Sequence, residues 1–112
     1  MLDALNNGQT IRDPIGVHTP NARTAIGLMP NGDVVLVMVE QEGNGKQFSR
    51  RGASTIDLAQ YFFKLGATKA MALDGGSSSS MMMGKTVLWG EKSVDNTPVK
   101  RPVHSALVLL FQ

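Results

Sequence analysis

Cysteine is absent from these 112 residues, so the chain has neither a disulfide framework nor a thiolate metal site. That absence does not fix a compartment, because exported chains can also lack cysteine. Aromatic residues are scarce, at 5%. Neither sign of charge prevails: eleven basic residues stand against nine acidic ones, a net charge of +2. Arg50-Arg51 and Lys100-Arg101 are pairs rather than patches, and no basic run interleaves with aromatics. Nucleic acid is therefore not an expected partner. Long apolar runs are missing too, far short of the ~20 residues of a membrane helix, so no membrane partner is expected. Met1 to Asn7 shows neither the basic region nor the apolar core of a signal peptide. What is present is ordinary globular composition, 42% hydrophobic and 18% charged, at a length that suits one domain.

The chemistry-bearing stretch is Leu73-Asp74-Gly75-Gly76-Ser77-Ser78-Ser79-Ser80. It follows the apolar run Ala70-Met71-Ala72, which reads as a strand, so Asp74 sits at a strand's carboxyl end. Two glycines permit positive φ or the close approach of a ligand. The serines add hydroxyls and turn N–H groups. A carboxylate beside such a turn can hold a polyhydroxy or phosphate-bearing ligand. The plain alternative is a flexible polar loop in which Asp74 caps the turn.

Residues 1–22 carry turn formers and read as an irregular segment, with one short strand around Ile15 to His18. His18 has the side chain of a base or ligand but lies among turn residues, where histidine is usually a surface residue. Residues 23–112 read as the domain. Segments 23–29 and 34–40 form a hairpin across Asn31-Gly32, expected as a type I′ turn. Val34 to Val39 is apolar on both faces, which suits a central strand. Residues 40–52 read as a loop with its tip at Gly43-Asn44-Gly45-Lys46, without the spacing of a phosphate-binding motif. Ser54-Thr55-Ile56-Asp57 is a capping box that opens a helix ending at Leu65 before Gly66. Leu58, Ala59, Phe62 and Leu65 share its inward face, and Phe63 is placed at the core edge. Strand 34–40, this helix and strand 69–73 read as a β-α-β unit with parallel strands. Met81 to Met83 and Thr86 to Trp89 form a second hairpin, the methionines serving as core filler. Glu91 to Pro98 reads as a polar loop, and Val103 to Phe111 as a long apolar strand with Arg101 at its mouth. The expected class is α+β: a mixed β-sheet with hairpins and one main helix packed on it.

Three ordered patterns, Arg23-Thr24-Ala25-Ile26-Gly27, Leu73-Asp74-Gly75-Gly76-Ser77-Ser78 and Arg101-Pro102-Val103, resemble the phosphodiester glycosidase family. The resemblance covers about residues 20 to 112. It implies hydrolysis of a sugar-1-phosphodiester or related glycoside, with a carbohydrate or sugar-phosphate as substrate. It implies Asp74, Arg23 and Arg101 as catalytic residues, and Thr24, Gly75, Gly76, Ser77 and Ser78 as substrate-binding ones. Ser77 stands where the family more often has a third glycine, and Ser105 where it often has asparagine. The family's upstream Asn-Gly-Gly-Phe-Phe type motif has no counterpart before Arg23. The chain therefore resembles the carboxyl-terminal part of such a domain, and a missing N-terminal half or a homo-oligomer is the expected completing partner.

Two arginines beside an anionic substrate would supply bidentate, charge-assisted hydrogen bonds. Their alternative role is to bridge acidic loop residues at strand ends. Asp74 has four candidate roles: general acid, general base, nucleophile, or orienter of sugar hydroxyls. Glycosidases usually use two carboxylates about 5–9.5 Å apart, and this sequence nominates one. No cofactor is expected. No metal is expected either, since nothing approaches the six to eight oxygens of a calcium site. The reading as a hydrolase stands beside two others: a sugar- or anion-binding module without catalysis, and an inactive half-domain that assembles as an oligomer.

Overall fold

The computed structural model describes residues 5–6, 9–10, 18–42, 51–93 and 97–110. The expected strand near Ile15 and the loop tip at Gly43 to Lys46 lie outside the described residues. Strands β1 (Leu5–Asn6) and β2 (Gln9–Thr10) pair antiparallel. The main sheet is built from β3 (Arg23–Leu28), β4 (Val34–Val39) and β6 (Lys69–Ala72), in the order β4-β3-β6. Between β4 and β6 in the chain come β5 (Gln41–Glu42) and helix α1 (Thr55–Leu65). After β6 come β7 (Ser80–Met83), β8 (Thr86–Trp89) and β9 (Glu91–Lys92). One helix on antiparallel hairpins makes the class α+β, and the parallel pairing is supplied by β5 with β9.

The first hairpin closes as expected, but not through a type I′ turn. Gly32 N–H donates to Met29 O at 3.0 Å, and Met29 N–H to Asp33 O at 2.8 Å. Pro30 is held at negative φ by its ring, so it suits the second position of a type I turn. Gly32, at φ 91, then supplies the left-handed residue that closes the loop as a bulge.

Helix α1 starts and stops where its caps require. Asp57 N–H donates to Ser54 Oγ at 3.0 Å, and Ser54 N–H donates back to Asp57 Oδ2 at 2.9 Å. The Ser54 backbone N–H first, and the Ser54 side chain second, hold the Asp57 carboxyl below its ordinary 3.8. Gly66, in the left-handed conformation, ends the helix. Leu58 and Phe62 are buried and pack on Ala25, with Val35, Val37, Val39 and Ala67 around them. Gly27 belongs to the same contact: a Cβ there would lie 2.5 Å from the Phe62 ring. The inward face is narrower than the periodicity implies. Ala59 is exposed, Leu65 is 40% exposed and Phe63 is 83% exposed, because a three-stranded sheet covers little more than the Leu58–Phe62 stripe.

Two pairings differ from expectation for one reason. β4 and β6 run in the same direction, as a β-α-β crossover demands, yet they are not neighbours. β3 lies between them and pairs antiparallel with both: Ala25 faces Val37 on one side and Ala72 on the other. Among the described residues β4 is thus an edge strand rather than a central one. Residues 103–110 form no strand and are exposed, because among the described residues no backbone pairs with them. The β7–β8 hairpin is present, but Met82 and Met83 are 67% and 65% exposed rather than core filler. Gln41–Glu42, read as loop, is drawn into β5 by β9, and Lys92 Nζ lies 3.3 Å from Glu40 Oε2 across that junction. No described helix is long and apolar enough to cross a membrane.

Candidate active site

The strand ladder delivers Asp74. Leu73 N–H donates to Thr24 O at 2.8 Å, one residue beyond β6, and the chain then leaves the sheet. The Asp74 side chain is exposed, and its Oδ1 accepts from Gly75 N–H at 3.0 Å. The following loop is a fixed turn, not a loose polar linker. Gly76 N–H donates to Ala22 O at 2.8 Å. Ser78 N–H donates to Gly75 O and Ser79 N–H to Gly76 O, which makes Gly76–Ser78 one 3-10 turn. Both glycines have a physical reason. A Cβ on Gly75 would come 2.9 Å from Ala22 O, and Gly76 adopts φ 61, a conformation L side chains rarely take. At the far end Ser79 is 2% exposed, and its carbonyl accepts from Gly90 N–H at 2.8 Å.

The two arginines approach this loop at different points and in different states. Arg23 is 9% exposed and meets the loop at Gly75, whose Cβ position is 3.9 Å from Nη1. Its Nε donates to Ala53 O at 3.1 Å and its Nη2 to Thr19 O at 2.8 Å. Ala53 precedes the helix cap, and Thr19 lies before β3. Arg23 therefore joins three chain segments beneath the turn, by way of carbonyl acceptors. Arg101 is exposed, and its Nη1 donates to Ser77 Oγ at 3.2 Å. Its remaining donors are suited to two oxygens of an anion such as a phosphate or carboxylate.

The structure thus brings Arg23, Asp74, Gly75, Gly76, Ser77, Ser78 and Arg101 into one neighbourhood. Thr24 lies at its edge, its carbonyl in the ladder and its hydroxyl enclosed without a hydrogen-bond partner. His18 is exposed before the first hairpin. Among the described residues no three or more His, Asp and Glu converge. The site is open to solvent. The apolar recess of about 320 Å³ lined by Ile56, Ala59, Gln60, Phe63 and Lys64 lies on α1, away from the loop.

Sequence patterns missed two polar neighbours. Asn21 reads as a turn former, yet its Nδ2 lies 3.5 Å from the Cβ position of Gly76 while its Oδ1 accepts from Ala22 N–H at 2.9 Å. Gln41 Oε1 accepts from the same N–H at 3.3 Å. No local signal marks either residue, since both are brought there by strand pairing and by the Asn21–Ala53 bridge.

A family model described as phosphodiester glycosidase matches residues 4–110. A crystal structure of a hypothetical protein from Synechocystis is similar at 28% identity and a TM-score of 0.54, over 83% of this chain. The chain spans 17% of the length of that protein. No curated protein matches. With the family model covering nearly the whole sequence, the chain belongs to the phosphodiester glycosidase family.

Proposed function

We propose that the Asp74 loop serves the hydrolysis of a sugar-1-phosphodiester or a closely related glycoside. The observation that carries this reading is the exposed Asp74 carboxylate on a hydrogen-bonded turn, with the exposed Arg101 guanidinium on Ser77 of the same turn. Arg101 grips the anionic group of the substrate. Water attacks the anomeric carbon, the bond from that carbon to the phosphate oxygen breaks, and the phosphate monoester leaves with the electron pair. A phosphate monoester is stable as an anion, so its departure does not require a strong acid. One carboxylate is then best used on the attacking side, where Asp74 takes the proton from water. Arg23 supports the turn from beneath.

The test is release of sugar from a panel of sugar-1-phosphodiesters and chromogenic glycosides by the parent and by Asp74→Asn. The parent turns over a phosphodiester, and the variant loses about 10²–10⁴-fold in kcat. An Asp74→Asn rate equal to the parent removes Asp74 from the chemistry. A second reading, a sugar- or anion-binding module without turnover, is favoured by the open site and by Asp74 standing outside any cluster of three or more His, Asp and Glu among the described residues. Calorimetric binding of a sugar-1-phosphate, lost in Arg101→Ala and unaccompanied by product, would select it.

A further inference from the structure

Ala22 N–H has two acceptors where one suffices. Asn21 Oδ1 lies 2.9 Å from it and Gln41 Oε1 3.3 Å. Without the Asn21 oxygen that donor would still be satisfied. What the shorter bond does is fix which way the Asn21 carboxamide faces, since its oxygen is committed and its nitrogen must take the other position. The backbone beneath is fixed as well. Asn21 N–H donates to Ala53 O at 3.1 Å, and Ala53 N–H donates back to Asn21 O at 2.9 Å. Gly52, at φ 79, lets the chain pass so close that a Cβ there would collide with Asn21 O.

The amide nitrogen keeps its N–H donors to itself. Nδ2 makes no hydrogen bond among the described residues, yet it is not sealed from water as the hydroxyls of Thr24, Thr55 and Ser79 are. It lies 3.5 Å from the Cβ position of Gly76, on the turn that carries the site. Gly76 has no side chain to cover it, and at φ 61 that position favours glycine. Along the turn Asp74 comes two residues before Gly76, and Ser77, which accepts from Arg101, one residue after. A fixed, neutral donor thus joins a carboxylate and a guanidinium on one turn. The guanidinium suits the charged oxygens of a phosphodiester. A carboxamide N–H suits an uncharged oxygen, such as a sugar hydroxyl.

We propose that Asn21 is a further substrate-binding residue, its Nδ2 donating to a hydroxyl of the sugar whose phosphate Arg101 holds. The assignment rests on the reading of the Asp74 loop as a sugar-phosphodiester site, and it adds what selects the sugar. Arg101 answers to a phosphate that every glycosyl phosphate carries; Asn21 answers to one hydroxyl. Its pinned mount spares the cost of ordering a side chain on binding.

Calorimetric titration of the full chain with a panel of sugar 1-phosphates, and with inorganic phosphate, tests this. Asn21→Ala weakens the best-bound sugar 1-phosphate about 3–10-fold, the worth of one neutral hydrogen bond, and leaves inorganic phosphate within about twofold. Among monodeoxy analogues of that sugar 1-phosphate, one loses about the same factor against the parent and nothing further against Asn21→Ala. Gln41→Ala, which takes the other acceptor from Ala22 N–H, weakens binding less than Asn21→Ala does. Sugar 1-phosphate binding that is lost in Arg101→Ala but unchanged in Asn21→Ala overturns this assignment alone. An equal loss of inorganic phosphate in Asn21→Ala, or an equal effect of Gln41→Ala, overturns it too, because either reports a disturbed turn rather than a lost contact. A parent that binds no sugar 1-phosphate overturns the reading of the site and this assignment together.

Discussion

Two apolar regions of this chain end in opposite states. Around Phe62 a few hydrophobic residues suffice, because Leu58, Phe62 and Ala25 meet within the chain and exclude water. From Val103 to Leu110 a denser run of the same residue types stays exposed. The contrast is one of partners rather than hydrophobicity. The helix stripe finds β3 and β4 across a short crossover, whereas the tail finds no backbone to pair with among the described residues. A hydrophobic run states that burial would be favourable; it does not supply the other surface.

The largest effect should come from breaking the buried side of this contrast. Phe62→Ala is expected to cost about 3–5 kcal/mol, enough to unfold a domain with so small a core. Phe63→Ala on the next residue, 83% exposed, should move stability by no more than about 0.5 kcal/mol. Urea denaturation at fixed protein concentration measures both, and equal losses would mean that the core is wrongly placed.

The arginines sharpen the contrast at the site. Arg23→Lys cannot span Ala53 O and Thr19 O with a point charge, and the loss is expected at about 1–3 kcal/mol of stability. Arg101→Lys should leave stability within about 0.5 kcal/mol, since its side chain is exposed, while weakening phosphate binding. Thermal unfolding combined with phosphate titration separates the two, and a destabilised Arg101→Lys would contradict the assignment.

A smaller effect than at Phe62 or Arg23 lies at the helix cap. Ser54→Ala is expected to cost about 0.5–2 kcal/mol. Asp57 titrates below its ordinary 3.8, so its contribution is present above that value and disappears as pH falls through the lowered folded value. The stability difference between parent and Asp57→Asn should therefore shrink below pH 3.8. It should also be modest, because the Asp57 carboxylate is exposed to solvent. A difference that persists undiminished at lower pH would show that the charge plays no part.

Much of the candidate site's layout is legible in the sequence. Asp74 at the end of a strand, the Gly75-Gly76 turn and the two arginines all follow from local pattern or resemblance. The roles did not. Arg23 reads like Arg101 in sequence, and only burial against two carbonyls distinguishes a support beneath the turn from an exposed cation. Asn21 and Gln41 carried no signal, because their proximity to the loop comes from pairings 19 to 55 residues apart.

The sequence by itself determined what depends on near neighbours: the Ser54–Asp57 cap, the Gly66 stop, both hairpins and the glycine pair after Asp74. Tertiary structure alone decided that β3 stands between β4 and β6, that Met82, Met83 and Phe63 face water, and that among the described residues β4 is an edge and Val103–Leu110 has no strand beside it. The physical reason is hydrogen-bond satisfaction at long range. A turn or cap closes its bonds within a few residues, but a strand's N–H groups need a distant backbone, and its side chains do not specify which one.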